Sequence, residues 1–337
     1  MAELSVKYLG LELANPLVAS ASPLSRELDR ARHLEDAGIG AIVMYSLFEE
    51  QLLAEERQYE RFMHNSALGH AEAASFLPEQ PGFQSSLDQY LEQLQSLKSH
   101  LQVPVIASLN GVSERGWVEY GRDLQEAGAD ALEINIYYVA ADMTESAEDV
   151  ERRYLDVLGH LKDAVSIPVS VKLSPQLSSP LHLVSHLHQA GAAAVVIFNR
   201  FYQSDINLET LTVEPQLQLS DSYESLLRIR WAAILRGALD IDLAVTGGFH
   251  DRDDVLKALL VGANVVQLCS VLLQHGPQRV AQLLGEVNEW LDRHEYDSVQ
   301  QAQGSLSHRN AADPGAFERD SYISVLDSFT PPPGVRY

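Results

Sequence analysis

Apolar residues in this chain gather into eight short runs, at 17–20, 41–45, 105–109, 131–136, 169–173, 194–199, 243–246 and 265–268. Several carry no polar alternation, as expected of parallel strands covered on both faces. Each run is followed by a stretch whose apolar positions recur at helical spacing, most clearly at 117–127, 147–164, 181–190 and 280–291. Three of these stretches end alike, at Asp36-Ala37-Gly38, Glu126-Ala127-Gly128 and Gln189-Ala190-Gly191, with the glycine placed to cap a helix before the next strand. The repeating unit is therefore βα. Eight such units, with no Gly-x-Gly-x-x-Gly after the first strand, predict one (β/α)8 TIM barrel domain over residues 1–337 rather than a doubly wound sheet.

Two intervals are too long for a plain βα unit. Residues 48–82 contain Pro78 and Pro81 and predict an extended loop over the top of the barrel, and residues 200–220 predict a second long loop after strand six. Both leave the C-terminal ends of strands, where barrel enzymes build their active sites. Residues from about 305 to 337, with Pro331-Pro332-Pro333, are expected to form a C-terminal tail.

Charge narrows the partners. Lys and Arg number 24 against 47 Asp and Glu, a net charge of −23 that argues against nucleic acid and anionic membranes. The single cysteine, Cys269, excludes an intrachain disulfide and fits a reducing compartment. The first residues lack a basic and an apolar segment of the secretory kind, so the expectation is a cytoplasmic enzyme.

The chemistry is densest near the C-terminal strands. Ala244-Val245-Thr246-Gly247-Gly248-Phe249 and 262–270 are each a β-branched run followed by a helix, the arrangement with which barrels make a phosphate site from the loops after strands seven and eight. Glycine at Gly247 and Gly248 would let the backbone approach an anion closely. A phosphorylated cofactor or substrate is expected there. His182 and His186 lie one helical turn apart without a third ligand nearby in sequence and read as an ordinary exposed face, so no metal is expected. Cys269 reads as packed rather than nucleophilic. His70, Glu72 and Glu79 suit either a substrate contact or a solvated lid.

Taken in order, several segments resemble the dihydroorotate dehydrogenases, above all the soluble class 1 enzymes, which are FMN-containing (β/α)8 barrels. The opening from Leu4 to Leu17 is similar to that family's N-terminal β-hairpin leading into strand one, and Ala19-Ser20 to the start of its Ala-Ser-Gly turn. Val171-Lys172-Leu173-Ser174-Pro175 resembles its Val-Lys-Leu-Ser/Pro-Pro segment, and Thr246-Gly247-Gly248 its phosphate loop. The resemblance runs from about Leu4 to about Leu291.

It implies FMN as cofactor, a small-molecule substrate and oxidation of dihydroorotate to orotate in pyrimidine biosynthesis. It leaves room for a homodimer and for a separate redox partner. By the same resemblance, Ala19 and Ser20, Asn135 and Asn199 at the ends of strands four and six, and Gly247, Gly248, Cys269 and Ser270 bind the cofactor. Lys172 lies at the flavin ring, where a cation would favour the anionic reduced form. As a charge between Val171 and Leu173, it also needs a polar partner.

The departures fall on the substrate side. The family follows strand four with Asn-x-Ser-Cys-Pro-Asn, or Ser for the Cys, and that residue is the catalytic base. Here Asn135-Ile136-Tyr137-Tyr138-Val139-Ala140 puts Tyr138 at the base position, and a phenol of pKa about 10 is a poor base near neutrality unless a cation depresses it. The family lysine after strand two is replaced by Tyr45, and the family's substrate loop has no clear counterpart, although Asn65-Ser66-Ala67-Leu68-Gly69 resembles its start. Tyr138 and Lys172 are thus the catalytic candidates. Two other readings stand beside dihydroorotate oxidation: an FMN-binding relative with another substrate, and a catalytically silent flavoprotein serving as an electron-transfer or interaction partner.

Overall fold

The computed structural model describes residues 1–67, 85–111, 114–201, 203–318, 328 and 330. A hairpin opens the chain. Strands β1 (Val6–Tyr8) and β2 (Leu11–Leu13) pair antiparallel, and Leu9 and Gly10 take φ 56 and 72 between them, as a two-residue primed turn requires.

Eight strands then close a parallel barrel: β3 (Leu17–Ala19), β4 (Ala41–Phe48), β5 (Val105–Asn110), β6 (Ala131–Asn135), β7 (Val169–Lys172), β8 (Ala194–Ile197), β11 (Asp242–Thr246) and β12 (Val265–Leu268). Their order around the barrel follows the chain, with β12 returning to β3. The strands are almost wholly buried, which explains their unbroken apolar runs.

Helices α1 (Leu28–Asp36), α2 (Glu49–Ala67), α3 (Ser86–His100), α4 (Glu114–Glu126), α5 (Ala147–Ala164), α6 (Pro180–Gln189), α7 (Ser225–Ala238), α8 (Arg252–Val261), α9 (Ser270–His275) and α10 (Arg279–Arg293) lie between and after the strands. Capping boxes start three of them, Ser85 with Asp88, Ser146 with Asp149 and Asp251 with Asp254, so the boundaries are fixed locally. Gly38, Gly128 and Gly191 have φ of 92, 99 and 91, the left-handed conformation expected of glycine just past a helix.

The N-terminal hairpin seals one end. Leu9 N donates to the Asp242 carboxylate at 2.8 Å, and Asn264 Nδ2 donates to Lys7 O and to Asp242, tying the hairpin to the starts of β11 and β12. Tyr8 is fully buried beneath the barrel interior. The open end is therefore the C-terminal one.

Three expectations change. The interval after strand two is not a loop throughout, because its first part is α2, whose Glu, Gln, Leu, Ala and Arg are good helix formers. Asn65 and Ser66 lie in its last turn, whereas Leu68, Gly69, His70, Glu72, Pro78, Glu79 and Pro81 fall outside the described residues. The connection after strand six carries an antiparallel hairpin, β9 (Ser204–Asn207) with β10 (Thr212–Pro215). Residues 305–318, expected as a tail, pack onto the barrel: Leu306 N donates to Leu260 O and His308 N to Ala233 O, and Ser307 is buried. The short helix α11 (Val299–Ala302) precedes this segment and α12 (Gly315–Glu318) ends it. Pro331 to Pro333 lie outside the described residues.

Candidate active site

A charge buried in a strand must find a partner inside the barrel. Lys172 ends β7 and is 6% exposed, and its Nζ lies 3.2 Å from Glu133 Oε1 on β6, itself 1% exposed. Glu133 Oε2 accepts from Gln267 Nε2 of β12 at 2.6 Å, and Gln267 Oε1 accepts from Ser20 Oγ at 3.2 Å. Four residues, Ser20 just past β3 with one each from β6, β7 and β12, thus form one hydrogen-bonded chain through the barrel's core. It is satisfied at each link, which makes an ion pair tolerable there. From below, the Tyr8 ring faces this layer, and burial with the Glu133 charge holds its phenol well above the usual range.

Above this chain opens a cavity of about 470 Å³, within the range of about 300–1,000 Å³ common for small-molecule sites. It is lined by Ser20, Asn135, Lys172, Asn199, Gly247, Gly248, Cys269 and Ser270, eight of the residues singled out from the sequence. Register explains part of this convergence: Asn135 and Lys172 are direct partners on β6 and β7. Asn199 Nδ2 donates to Asn135 Oδ1 at 2.7 Å, which leaves the Asn135 amide protons and the Asn199 oxygen for a ligand.

Ala19 and Tyr138 do not line the cavity. Ala19 is buried at the end of β3. Tyr138 donates its hydroxyl to Glu145 Oε2, and Arg153 stacks on its ring at 3.6 Å while donating to Glu145 Oε1 at 2.8 Å. The neighbouring residue takes the place beside the cavity: Tyr137 lines it and packs on Phe201 with ring centroids 4.4 Å apart.

The two glycines of the β11 loop have a reason on the protein's own side. Gly247 and Gly248 have φ of 91 and 93, and a Cβ on Gly248 would stand 2.3 Å from Ser225 N at the start of α7. Gly248 N donates to Ser220 Oγ at 3.3 Å, and Ser220 N donates to Ser270 Oγ at 3.1 Å. The end of the long connection after β8 is thereby stitched to both phosphate-type loops.

Among the described lining residues there are three cations, Arg26, Lys172 and Arg200, and no carboxylate. Lys172 and Arg200 are paired from behind by Glu133 and Glu224, so the surface facing the cavity carries donors and cations only, which favours an anionic ligand. Arg26 comes from the turn after β3 and lies over the Tyr45 ring at 4.9 Å. Tyr45 lies within the register shift of β4 between Val43 and Ser46, a device that re-aims side chains at barrel rims. Burial raises its phenol, with Arg26 pulling the other way.

Sequence reasoning missed Glu133, Gln267, Arg26 and Arg200. Glu133 had a readable signal, a carboxylate between Leu132 and Ile134 that needs a partner as much as Lys172 does. Away from the cavity, the His182 and His186 rings meet edge to face at 4.2 Å, with the His182 ring 3.3 Å from Glu151. Among the described residues no group of three His, Cys, Asp or Glu side chains is placed to hold a metal, and no helix is long and apolar enough to cross a membrane.

A closed barrel with an ion pair in its core and a cavity at the C-terminal strand ends has the architecture of a barrel enzyme. The family follows from comparison. The family model described as dihydroorotate dehydrogenase matches residues 3–291, and the chain belongs to that family of flavin-dependent oxidoreductases. Among its relatives, the dihydroorotate dehydrogenase B (NAD(+)) catalytic subunit of Thermoplasma acidophilum is 24% identical over 90% of this chain and 99% of the relative. The NAD-dependent dihydropyrimidine dehydrogenase subunit PreA of Escherichia coli K12 is 24% identical over 95% of this chain and 80% of the relative. Dihydroorotate dehydrogenase A (fumarate) of Limosilactobacillus reuteri is 25% identical over 86% and 94%.

Proposed function

We propose that this chain is an FMN-dependent dehydrogenase that oxidises a carbon–carbon single bond in a small cyclic substrate, with dihydroorotate the first candidate. The observation that carries the reading is the cavity lining: three cations without a carboxylate, set over a buried Lys172 whose ammonium keeps donor capacity beyond its bond to Glu133. The residues fit a flavin. Lys172, Asn135 and Asn199 offer donors and an acceptor for a planar heterocycle, and the loops at Gly247-Gly248 and Cys269-Ser270 suit its phosphate. When bound, FMN supplies a two-electron acceptor for hydride from the substrate carbon. Glu133 holds the Lys172 ammonium in place, so a donor stands ready where negative charge develops. A relative described as a catalytic subunit suggests a separate electron-delivery partner, and the lone cysteine suits the cytoplasm.

A second reading, a substrate other than dihydroorotate, is favoured by one observation. The residue at the base position, Tyr138, is engaged by Glu145 and Arg153 and does not line the cavity.

The test is the absorption spectrum of the purified protein, followed by anaerobic addition of dihydroorotate and then of dihydrouracil. A flavin spectrum that bleaches with either supports the proposal, and bleaching by dihydrouracil alone selects the second reading. Protein that is colourless and gains no thermal stability from excess FMN overturns it, because a ligand specific to the folded state must stabilise that state.

A further inference from the structure

We propose that Arg200 and Arg228, which share the single carboxylate of Glu224, supply the positive charge that selects a phosphate-terminated ligand at the Gly247-Gly248 loop. The proposal rests on the FMN reading and adds the source of charge.

Arg228 on α7 is 6% exposed. Its Nε donates to Thr246 O at 3.1 Å and its Nη1 to Glu224 O at 2.7 Å, both backbone carbonyls that carry no formal charge. A Cβ on Gly247 would lie 3.0 Å from Arg228 Nη2, so the guanidinium sits against the backbone of the glycine loop. Its carboxylate neighbour, Glu224, is 3.9 Å away and is held at closer range by Arg200, whose Nε lies 3.2 and 3.1 Å from the two oxygens. Arg200 lines the cavity.

Two guanidiniums on one carboxylate leave one positive charge in excess. Burial and the neighbouring Arg200 both work against the charge on Arg228. Asp254 does not supply the missing anion, because it accepts from Ser222 Oγ and from the amides of His250 and Asp251 at the start of α8. An anion in front of Gly247 completes the balance. Arg200 would meet it from the cavity wall, while Arg228 acts through the loop it supports and is a positioning residue.

FMN and riboflavin differ only in the phosphate, so the ratio of their affinities isolates the charge. Apoprotein is titrated with each flavin by fluorescence quenching, as wild type and as Arg200→Gln, Arg228→Gln, Arg228→Lys and Glu224→Gln. At the separations of a cavity wall, losing one charge should lower the FMN-to-riboflavin ratio roughly tenfold. Arg228→Lys should keep most of the ratio, and Glu224→Gln, which removes the competing anion, should raise it. Wild-type ratios in both glutamine variants of the arginines, or a lowered ratio in Glu224→Gln, overturn the proposal. Should Arg228→Gln not fold, Arg200→Gln and Glu224→Gln decide it. Wild-type protein that binds neither flavin overturns the FMN reading and this one with it, whereas a preference for FMN that survives all variants overturns this one alone.

Discussion

Lys172 and Tyr138 were drawn from the same resemblance, yet the fold treats them in opposite ways. Lys172 ends a barrel strand, where the pleat and the pairing with Asn135 dictate which way it faces, and it lies in the cavity lining. Tyr138 lies three residues beyond the end of β6, where nothing periodic fixes direction, and its hydroxyl bonds to Glu145 while Arg153 of α5 covers its ring. Strand positions carry their direction in the sequence; rim positions take it from the path of their loop. The residues proposed for the flavin lie on strands or within two residues of a strand end, whereas Tyr138 stands farther out on the rim.

The largest expected effect tests the strand side. Glu133→Gln leaves Lys172 buried without its counter-charge, and breaking such a pair should cost about 3–5 kcal/mol in urea unfolding. The double variant Glu133→Leu with Lys172→Met should recover most of that stability and still fail to bind FMN. A cost below about 1 kcal/mol for Glu133→Gln would mean that the core chain tolerates an unpaired ammonium, and the contrast with the rim would lose its basis.

Gly248→Ala comes next. It imposes a side chain at φ 93 and sets its Cβ 2.3 Å from Ser225 N, so the loop must move. Strain of this kind costs about 1–3 kcal/mol, and FMN affinity should fall with stability. Unchanged affinity in a destabilised variant would show that the loop serves the helix contact alone.

Tyr138→Phe has a smaller expected effect, about 1 kcal/mol for the lost bond to Glu145, read as a shift in the urea midpoint. The pH profile of flavin reduction should not change. A tyrosine-like ionisation in the wild-type profile that disappears in the variant would restore Tyr138 as a base and would show that the rim rearranges around substrate.

The barrel itself was legible because eight buried strands leave apolar runs that polar loops cannot mimic, and the glycines after α1, α4 and α6 mark the helix ends. The helical first part of the interval after β4 was hidden by the prolines farther along, although Glu49–Ala67 is composed of good helix formers. The hairpin after β8 was hidden by its brevity, since four-residue strands with exposed faces carry no core pattern. Glu133 was legible and overlooked, by the argument that had been applied to Lys172 alone. The turn of Tyr138 was not legible, because Glu145 and Arg153 meet it only through the irregular path of the chain from β6 into α5.

The smallest effect asks where the two sides of the cavity meet. Cys269 lines the cavity just past β12, at the end proposed for the flavin, and burial raises its thiol pKa, with Lys172 and then Arg200 pulling it down less strongly. A raised thiol is protonated at neutral pH, and only the thiolate is alkylated. Iodoacetamide should therefore modify Cys269 more slowly than a free cysteine at pH 7, with the rate climbing past the ordinary thiol pKa of about 8.5 before it levels. Intact-mass measurement over a pH series gives the curve, and the chain's single cysteine makes the reading unambiguous. Bound FMN should suppress the modification, whereas orotate without flavin should not, if the flavin end and the substrate end are as distinct as the two kinds of position suggest. Protection by orotate alone would place the substrate against Cys269 and would break the division between the strand-built and the rim-built halves of the site.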